Sequence, residues 1–193
     1  MDLGSIIEKW YEWLRCNRSY SPNTLESYMR DLKDLISFLN THIGGEVNVG
    51  TLEKLSVPEL RSWLTSRYAR GVNARSNARA LSVIRNFFKY IKNNYNIDNE
   101  AVFSLSRPIQ RRTLPKALSI PDIKTLVKEM KLSDLSEPWV VKREIAIIVL
   151  LYGTGLRISE ALNLRVSDIN NESLIVTGKG DKQRQVFILP VVK

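Results

Sequence analysis

SLIVTGKGDKQRQVFIL, Ser173 to Leu189, decides the fold class. Ser173 to Thr177 and Gln185 to Leu189 are rich in β-forming residues. They flank Gly178-Lys179-Gly180-Asp181-Lys182, which has the composition of a tight turn. The spacing predicts a β-hairpin. The rest of the chain reads as helix, so the fold class is mainly α with a small β-hairpin or sheet.

Working back towards the N-terminus, the helices show in the apolar periodicity. Ser5 to Asn17 places Ile6, Trp10, Trp13 and Leu14 at helical spacing. Ser21-Pro22 supplies an N-cap and a proline at the first helical position. Leu25, Tyr28, Leu32, Leu35 and Leu39 then step by three and four towards a stop near Gly44-Gly45. Ser56-Val57-Pro58-Glu59 is a capping box, with Gly71 as the stop of that helix. A fourth helix, Ala74 to Asn94, carries Leu81, Ile84, Phe88 and Ile91 on one side.

SLSRPIQRRTLPK, Ser104 to Lys116, breaks this pattern with two prolines and little periodicity. It reads as a linker. The expected organisation is a helical domain over 1–103, a linker over 104–116 and a mixed α/β part over 117–193. Helices resume after Ser119, with Asp122 closing a cap. Val141 to Tyr152 is apolar nearly all round and is expected to be buried. Gly153-Thr154-Gly155 interrupts it before a short helix, Arg157 to Leu164.

Composition removes whole classes of function. The longest apolar run, Ile145 to Tyr152, has eight residues, whereas a membrane span needs about 20. The N-terminus lacks the pattern of a signal peptide, so a cytoplasmic location is expected. Cys16 is the only cysteine and His42 the only histidine. Internal disulfides, zinc clusters and a Ser-His-Asp triad therefore fail or become improbable on inventory.

Charge points to a polyanion. The chain has 29 Lys and Arg against 20 Asp and Glu, a net +9. Between Glu59 and Asp98 there is no acid, but Arg61, Arg67, Arg70, Arg75, Arg79, Arg85, Lys89 and Lys92 fall there. A second acid-free window, between Glu100 and Asp122, holds Arg107, Arg111, Arg112 and Lys116. On the fourth helix Arg75, Arg79, Ser82, Asn86 and Lys89 form a stripe nearly opposite the apolar one. Such a stripe is either a solvated face or a row of phosphate contacts. The missing acids favour DNA.

Two segments carry candidate chemistry. In Thr154-Gly155-Leu156-Arg157-Ile158-Ser159-Glu160 an arginine starts a short helix and a carboxylate follows at i+3. This is either a surface ion pair or a carboxylate orienting a guanidinium whose planar fork suits two phosphate oxygens. At the hairpin tip, glycines flank Lys179 and permit close approach to a phosphate, although most such tips are only turns.

Together these segments resemble the tyrosine recombinase family, also called the phage-integrase or Xer type. The match is T-G-L-R-I-S-E-A-L-N-L followed by V-T-G-K-G-D-K-Q-R, in the family's order and approximate spacing. Ser19-Tyr20-Ser21-Pro22-Asn23-Thr24-Leu25, with Tyr28, Asp31, Leu32 and Phe38, resembles the start of the family's core-binding domain. Leu114-Pro115-Lys116-Ala117-Leu118 resembles the start of its catalytic domain. The resemblance implies a SAM-like helical core-binding domain and a partial mixed α/β catalytic domain. It also implies strand exchange on double-stranded DNA through a 3′-phosphotyrosine, by a homo- or hetero-tetramer of protomers, with no metal or other cofactor and no membrane. Arg157 would be the first catalytic arginine, stabilising charge on the phosphate. Lys179 would be the general acid for the leaving 5′-oxygen, with Lys182 as second choice. Glu160 would hold Arg157. Thr24, Arg75, Arg79 and Lys89 would contact DNA. Tyr28 could join them, but its place on the apolar side favours the core. The catalytic pair and the stripe are expected to face one DNA.

The sequence departs from the family pattern at its end. No His-x-x-Arg motif is present, and no tyrosine follows Tyr152. The chain therefore reads as truncated within the catalytic domain, without the nucleophile, and is expected not to cut or join DNA alone. The alternatives are a non-catalytic DNA-binding module or decayed recombinase occupying recombination sites, and a helical interaction protein without a DNA role.

Overall fold

The computed structural model describes residues 2–18, 20–109, 117–132, 137–170, 172–178 and 182–188. The chain divides into two compact units, Met1–Thr113 and Leu114–Lys193.

The first unit holds α1 (Leu3–Cys16), α2 (Pro22–Ile43), α3 (Val49–Glu53), α4 (Val57–Ala69), α5 (Ala74–Tyr95) and α6 (Ala101–Ser104). Local chemistry starts them. Asp2 accepts a hydrogen bond from the Ser5 amide at 3.0 Å and caps α1. At α4 the Glu59 carboxylate accepts the Ser56 amide at 2.7 Å, and the Ser56 hydroxyl accepts the Glu59 amide. The expected apolar stripes then form the core. Leu25, Leu32, Leu35 and Leu39 of α2 meet Leu81, Ile84, Phe88 and Ile91 of α5, and all are buried. Burial of each such side chain is worth about 1.5–3 kcal/mol relative to exposure. Tyr28 packs against this core, its ring stacked on Trp10 with centroids 6.3 Å apart.

Two short helices escape a reading by periodicity, because α3 and α6 have only five and four residues. The buried Asn99 side chain joins them. Its amide nitrogen donates to the carbonyls of Leu52, Glu53 and Leu55. Arg85 does the same for α6 and the residue that follows it, donating to the carbonyls of Val102, Phe103 and Leu105. Leu105, at the start of the expected linker, is consequently buried in the first unit.

The second unit holds α7 (Ile120–Leu132), α8 (Pro138–Thr154) and α9 (Ile158–Leu162), then β1 (Ile169–Asn170), β2 (Ser173–Thr177) and β3 (Gln183–Phe187). The strands form an antiparallel sheet in chain order. Thr177 pairs with Gln183, and the Gly178 amide donates to the Lys182 carbonyl at 2.8 Å to close the hairpin. The second strand begins two residues before the expected start at Gln185. Leu174 and Val176 face a small core with Leu156 and Ala161, while Ile175 faces out. As expected, Asp122 caps α7, accepting the Ser119 amide at 2.8 Å.

One expectation is corrected here. α8 is apolar nearly all round, yet none of its residues is buried. Trp139 is 62% exposed. An apolar composition makes burial favourable but does not supply the neighbours that would provide it. The described elements of this unit cover only parts of the helix.

Candidate functional site

The site in the second unit is built from a helix end, a helix start and a strand. α8 stops at Gly155, whose φ of +66° lies in the left-handed region that glycine adopts without strain. The chain reverses and Arg157 takes the N-cap position of α9. Glu160, one turn into α9, folds back. Its Oε2 accepts the Arg157 backbone amide at 2.8 Å, and its Oε1 accepts Arg157 Nη1 at 2.9 Å. Arg184 reaches across from β3. Its Nη1 donates to Oε1 and its Nη2 to Oε2, each at 2.8 Å.

Two guanidiniums thus share one carboxylate that is 4% exposed. The Arg184 hydrogen bonds, then that of the Arg157 amide, hold the Glu160 pKa down at about 2 against the opposing effect of burial. Arg184 is raised in turn, chiefly by its hydrogen bonds to Glu160. Arg157 keeps 69% of its side chain exposed. Its Nε and Nη2 have no partner among the described residues. A guanidinium pinned on one edge and open on the other can take phosphate oxygens in a fixed direction. Two arginines on one glutamate leave a net +1.

The pairing of Arg157 with Glu160 follows the i,i+3 spacing of the sequence. Arg184 was visible there only as the last letter of the hairpin motif. Register on β3 decides which of its side chains meets Glu160, and no local spacing reports that. The hairpin neck passes close by: a Cβ built on Gly178 would lie 3.4 Å from Arg184 Nη1 and 3.5 Å from Glu160 Oε1. Lys179 lies outside the described residues, so its expected approach to Arg157 lies outside them too. Lys182 is exposed.

The basic face of the first unit is partly engaged within the fold. Of its stripe, Arg75 and Lys89 are exposed and have no ion-pair partner among the described residues. Arg79 is not free, because its Nε donates to Asp31 at 2.9 Å. Asn86 accepts the Trp10 indole N–H at 3.0 Å, and Ser82 donates to the Ala78 carbonyl. The acid-free window is equally deceptive. Arg67 is buried on Asp31 and Asp34, Arg70 pairs with Asp34, and Lys92 pairs with Asp98. Arg85 serves backbone carbonyls. The acids that answer Arg67, Arg70 and Arg79 lie on α2, far away in sequence. Thr24 is half-buried, its hydroxyl 2.9 Å from that of Ser21.

Residues 7–94 match the family model described as phage integrase, N-terminal SAM-like domain, and residues 116–190 match that of the phage integrase family. The chain belongs to this family, the tyrosine recombinases. It is 38% identical over 194 residues to a tyrosine recombinase XerC of Mesorhizobium japonicum, covering 98% of this chain and 62% of that protein. It is 33% identical to the XerC of Rickettsia prowazekii, covering 100% of this chain and 63% of that one. The chain therefore spans about three fifths of the length of these relatives. Its fold is similar to a lambda integrase tetramer bound to a Holliday junction, with a TM-score of 0.74 at 18% identity over 97% of this chain and 51% of that one. It is also similar to a XerH recombinase bound to its difH substrate, with a TM-score of 0.65 at 20% identity over 96% of this chain and 53% of that one. The fold is thus a SAM-like helical domain followed by part of an integrase catalytic domain. Among the described residues no helix is long and apolar enough to cross a membrane.

Proposed function

We propose that this chain serves site-specific DNA recombination, as the DNA-binding and partly catalytic portion of a tyrosine recombinase. The carrying observation is the Arg157 guanidinium, held by a buried carboxylate on one edge and open to solvent on the other. In this reading Arg157 stabilises charge on the scissile phosphate. Glu160 and Arg184 hold it in place. Lys179 donates the proton to the leaving 5′-oxygen. Arg75, Arg79, Lys89 and Thr24 bind flanking DNA. No residue of this chain is assigned as the nucleophile, since no tyrosine follows Tyr152. The first unit is the core-binding domain, with a linker over 104–116 and the catalytic part after it. The partner is duplex DNA bound by a homo- or hetero-tetramer of protomers in the cytoplasm, without a cofactor. Kinship with XerC recombinases supports a role in chromosome partition and cell division.

A polypeptide of this sequence, incubated with a nicked suicide duplex, is expected to bind it and form no covalent adduct. Salt-insensitive or absent DNA binding would refute the recombinase reading. A covalent band would refute the assignment of no nucleophile, and mapping the attached tyrosine would identify the group. A second reading is a non-catalytic module that occupies recombination sites. Strand cleavage on joining a relative's C-terminal segment to this chain supports the first reading over the second.

A further inference from the structure

A chain of buried charges runs through the first unit, between α2, α4 and α5. Arg67 is its centre, with its side chain 6% exposed. Its Nη2 donates to Asp31 Oδ1 at 3.1 Å, its Nη1 to Asp34 Oδ2 at 2.6 Å and its Nε to Asn77 Oδ1 at 2.8 Å. Each aspartate then turns outward to a second arginine. Asp31 Oδ2 accepts Arg79 Nε at 2.9 Å, and Asp34 Oδ1 is 2.8 Å from Arg70 Nη2. The Trp63 indole N–H adds a bond to Asp34 at 2.9 Å. The chain ends at the surface in two partly exposed guanidiniums, Arg70 at 56% and Arg79 at 46%.

Stability does not explain such an arrangement well. Removing ions from water offsets much of their attraction, and apolar residues of similar volume often serve a core as well or better. Geometry explains it better. Three arginines against two aspartates leave a net positive charge, so the outer guanidiniums are held without being neutralised. A long side chain that is already fixed loses less rotamer freedom on meeting a phosphate than a free one. Arg79 also lies one turn from the free Arg75 on α5.

We infer that the Asp31–Arg67–Asp34 chain pre-orients Arg79 and Arg70 as fixed ligands for the phosphates of duplex DNA. Arg70 is then a further DNA contact, and Asp31 and Asp34 are positioning residues. The inference rests on the DNA-binding reading of this unit.

Charge alone and positioning give opposite signs for Asp31→Asn. Removing a negative charge near a polyanion should tighten binding if only net charge counts. Loss of orientation should weaken it. The test measures binding of the 193-residue chain to a fluorescent random-sequence duplex by anisotropy over a range of salt. Arg79→Ala and Arg70→Ala should each weaken binding and lower the slope of log affinity against log salt by about 0.9. Asp31→Asn should weaken binding about tenfold, within the range of couplings between contacting residues, and have no further effect on top of Arg79→Ala. Asp31→Asn binding as tightly as the parent, or losing as much with Arg79→Ala as without it, overturns the inference. Unchanged affinity and slope in Arg79→Ala and Arg70→Ala overturn the interface itself. If circular dichroism shows Asp31→Asn unfolded, Arg79→Lys decides, since it keeps the charge and loses the Nε bond. Weaker binding by Arg79→Lys supports positioning, and parental binding refutes it.

Discussion

Arg184 grips Glu160 with both terminal nitrogens, Nη1 on Oε1 and Nη2 on Oε2, each at 2.8 Å. The two residues are 24 positions apart, on β3 and α9. This contact ties the sheet to the turn that presents Arg157. The carboxylate it holds also binds the Arg157 backbone and side chain. Disturbing Arg184 should therefore reach Arg157 without touching it.

Arg184→Gln should release the Glu160 carboxyl from about 2 towards the ordinary value of about 4.3. A carboxylate lowered by folding stabilises the folded state above its ordinary pKa. That contribution is lost as pH falls through the folded value. The variant should therefore lose stability at neutral pH and show a shallower acid dependence between roughly pH 4 and 2. A carbon-13 titration of the Glu160 side chain checks this. An unmoved titration would show that Arg157 suffices to hold the carboxylate.

The first unit should lose stability in acid. Burial alone would raise Asp34, but hydrogen bonds from Arg67, Arg70 and Trp63 outweigh it and hold the group below its ordinary value. Glu59 is also lowered, by the Ser56 hydroxyl and amide. Both shifts are downward, so their stabilisation is complete above about pH 5 and fades as pH falls through the folded values. Thermal melts between pH 7 and pH 2 should show a midpoint that falls steeply below about pH 4. Asp34→Asn should lower the neutral-pH midpoint and flatten this dependence.

Arg75 and Arg85 should separate binding from stability. Arg75 is exposed and lacks a partner among the described residues, so Arg75→Ala should lower the salt slope of DNA binding by about 0.9 and leave the melting midpoint nearly unchanged. Arg85 instead serves the carbonyls of Val102, Phe103 and Leu105. Arg85→Ala should cost about 1–3 kcal/mol of stability through lost charge-assisted hydrogen bonds to partly exposed carbonyls, with the parental salt slope retained. The reverse pattern would mean that the two roles have been exchanged. Changing Arg75 and Arg79 together to Ala should flatten the slope further, unless the stripe is merely solvated.

Exposed apolar surface on α7 and α8 should make the chain self-associate. Ile120, Leu132 and Trp139 are 61%, 72% and 62% exposed. Ile120, Ile123, Val127, Val149 and Tyr152 line an open groove of about 340 Å³. Apolar patches of this kind favour association. Light scattering should rise with protein concentration, and Leu132→Gln with Trp139→Gln should suppress the rise. A concentration-independent monomer would show that the patch is too small to drive association.

Much of the fold was legible because its signals are local. The step of three and four through Leu25, Tyr28, Leu32, Leu35 and Leu39 places one side chain per turn on one face, and that face packs into the core. The capping residues of α4 and α7 sit three positions from their partners. The hairpin followed from two β-rich segments around glycines. α3 and α6 were not legible, since neither completes two turns. The burial expected for α8 failed because hydropathy describes one side of a contact and says nothing of the other.

The sequence by itself determined the helical stripes, the caps, the hairpin and the pairing of Arg157 with Glu160, because each depends on residues within a turn or two of one another. Only the tertiary structure decided which charges are free. The acid-free window from Glu59 to Asp98 read as an open row of bases. Folding lays Asp31 and Asp34 of α2 against it, 36 positions from Arg67 and 48 from Arg79 in the case of Asp31. Likewise it brings Arg184 of β3 onto Glu160 of α9. Charges pair through space over a few ångströms, so the faces that helices and strands turn to one another set the partners, and linear spacing carries no record of those faces.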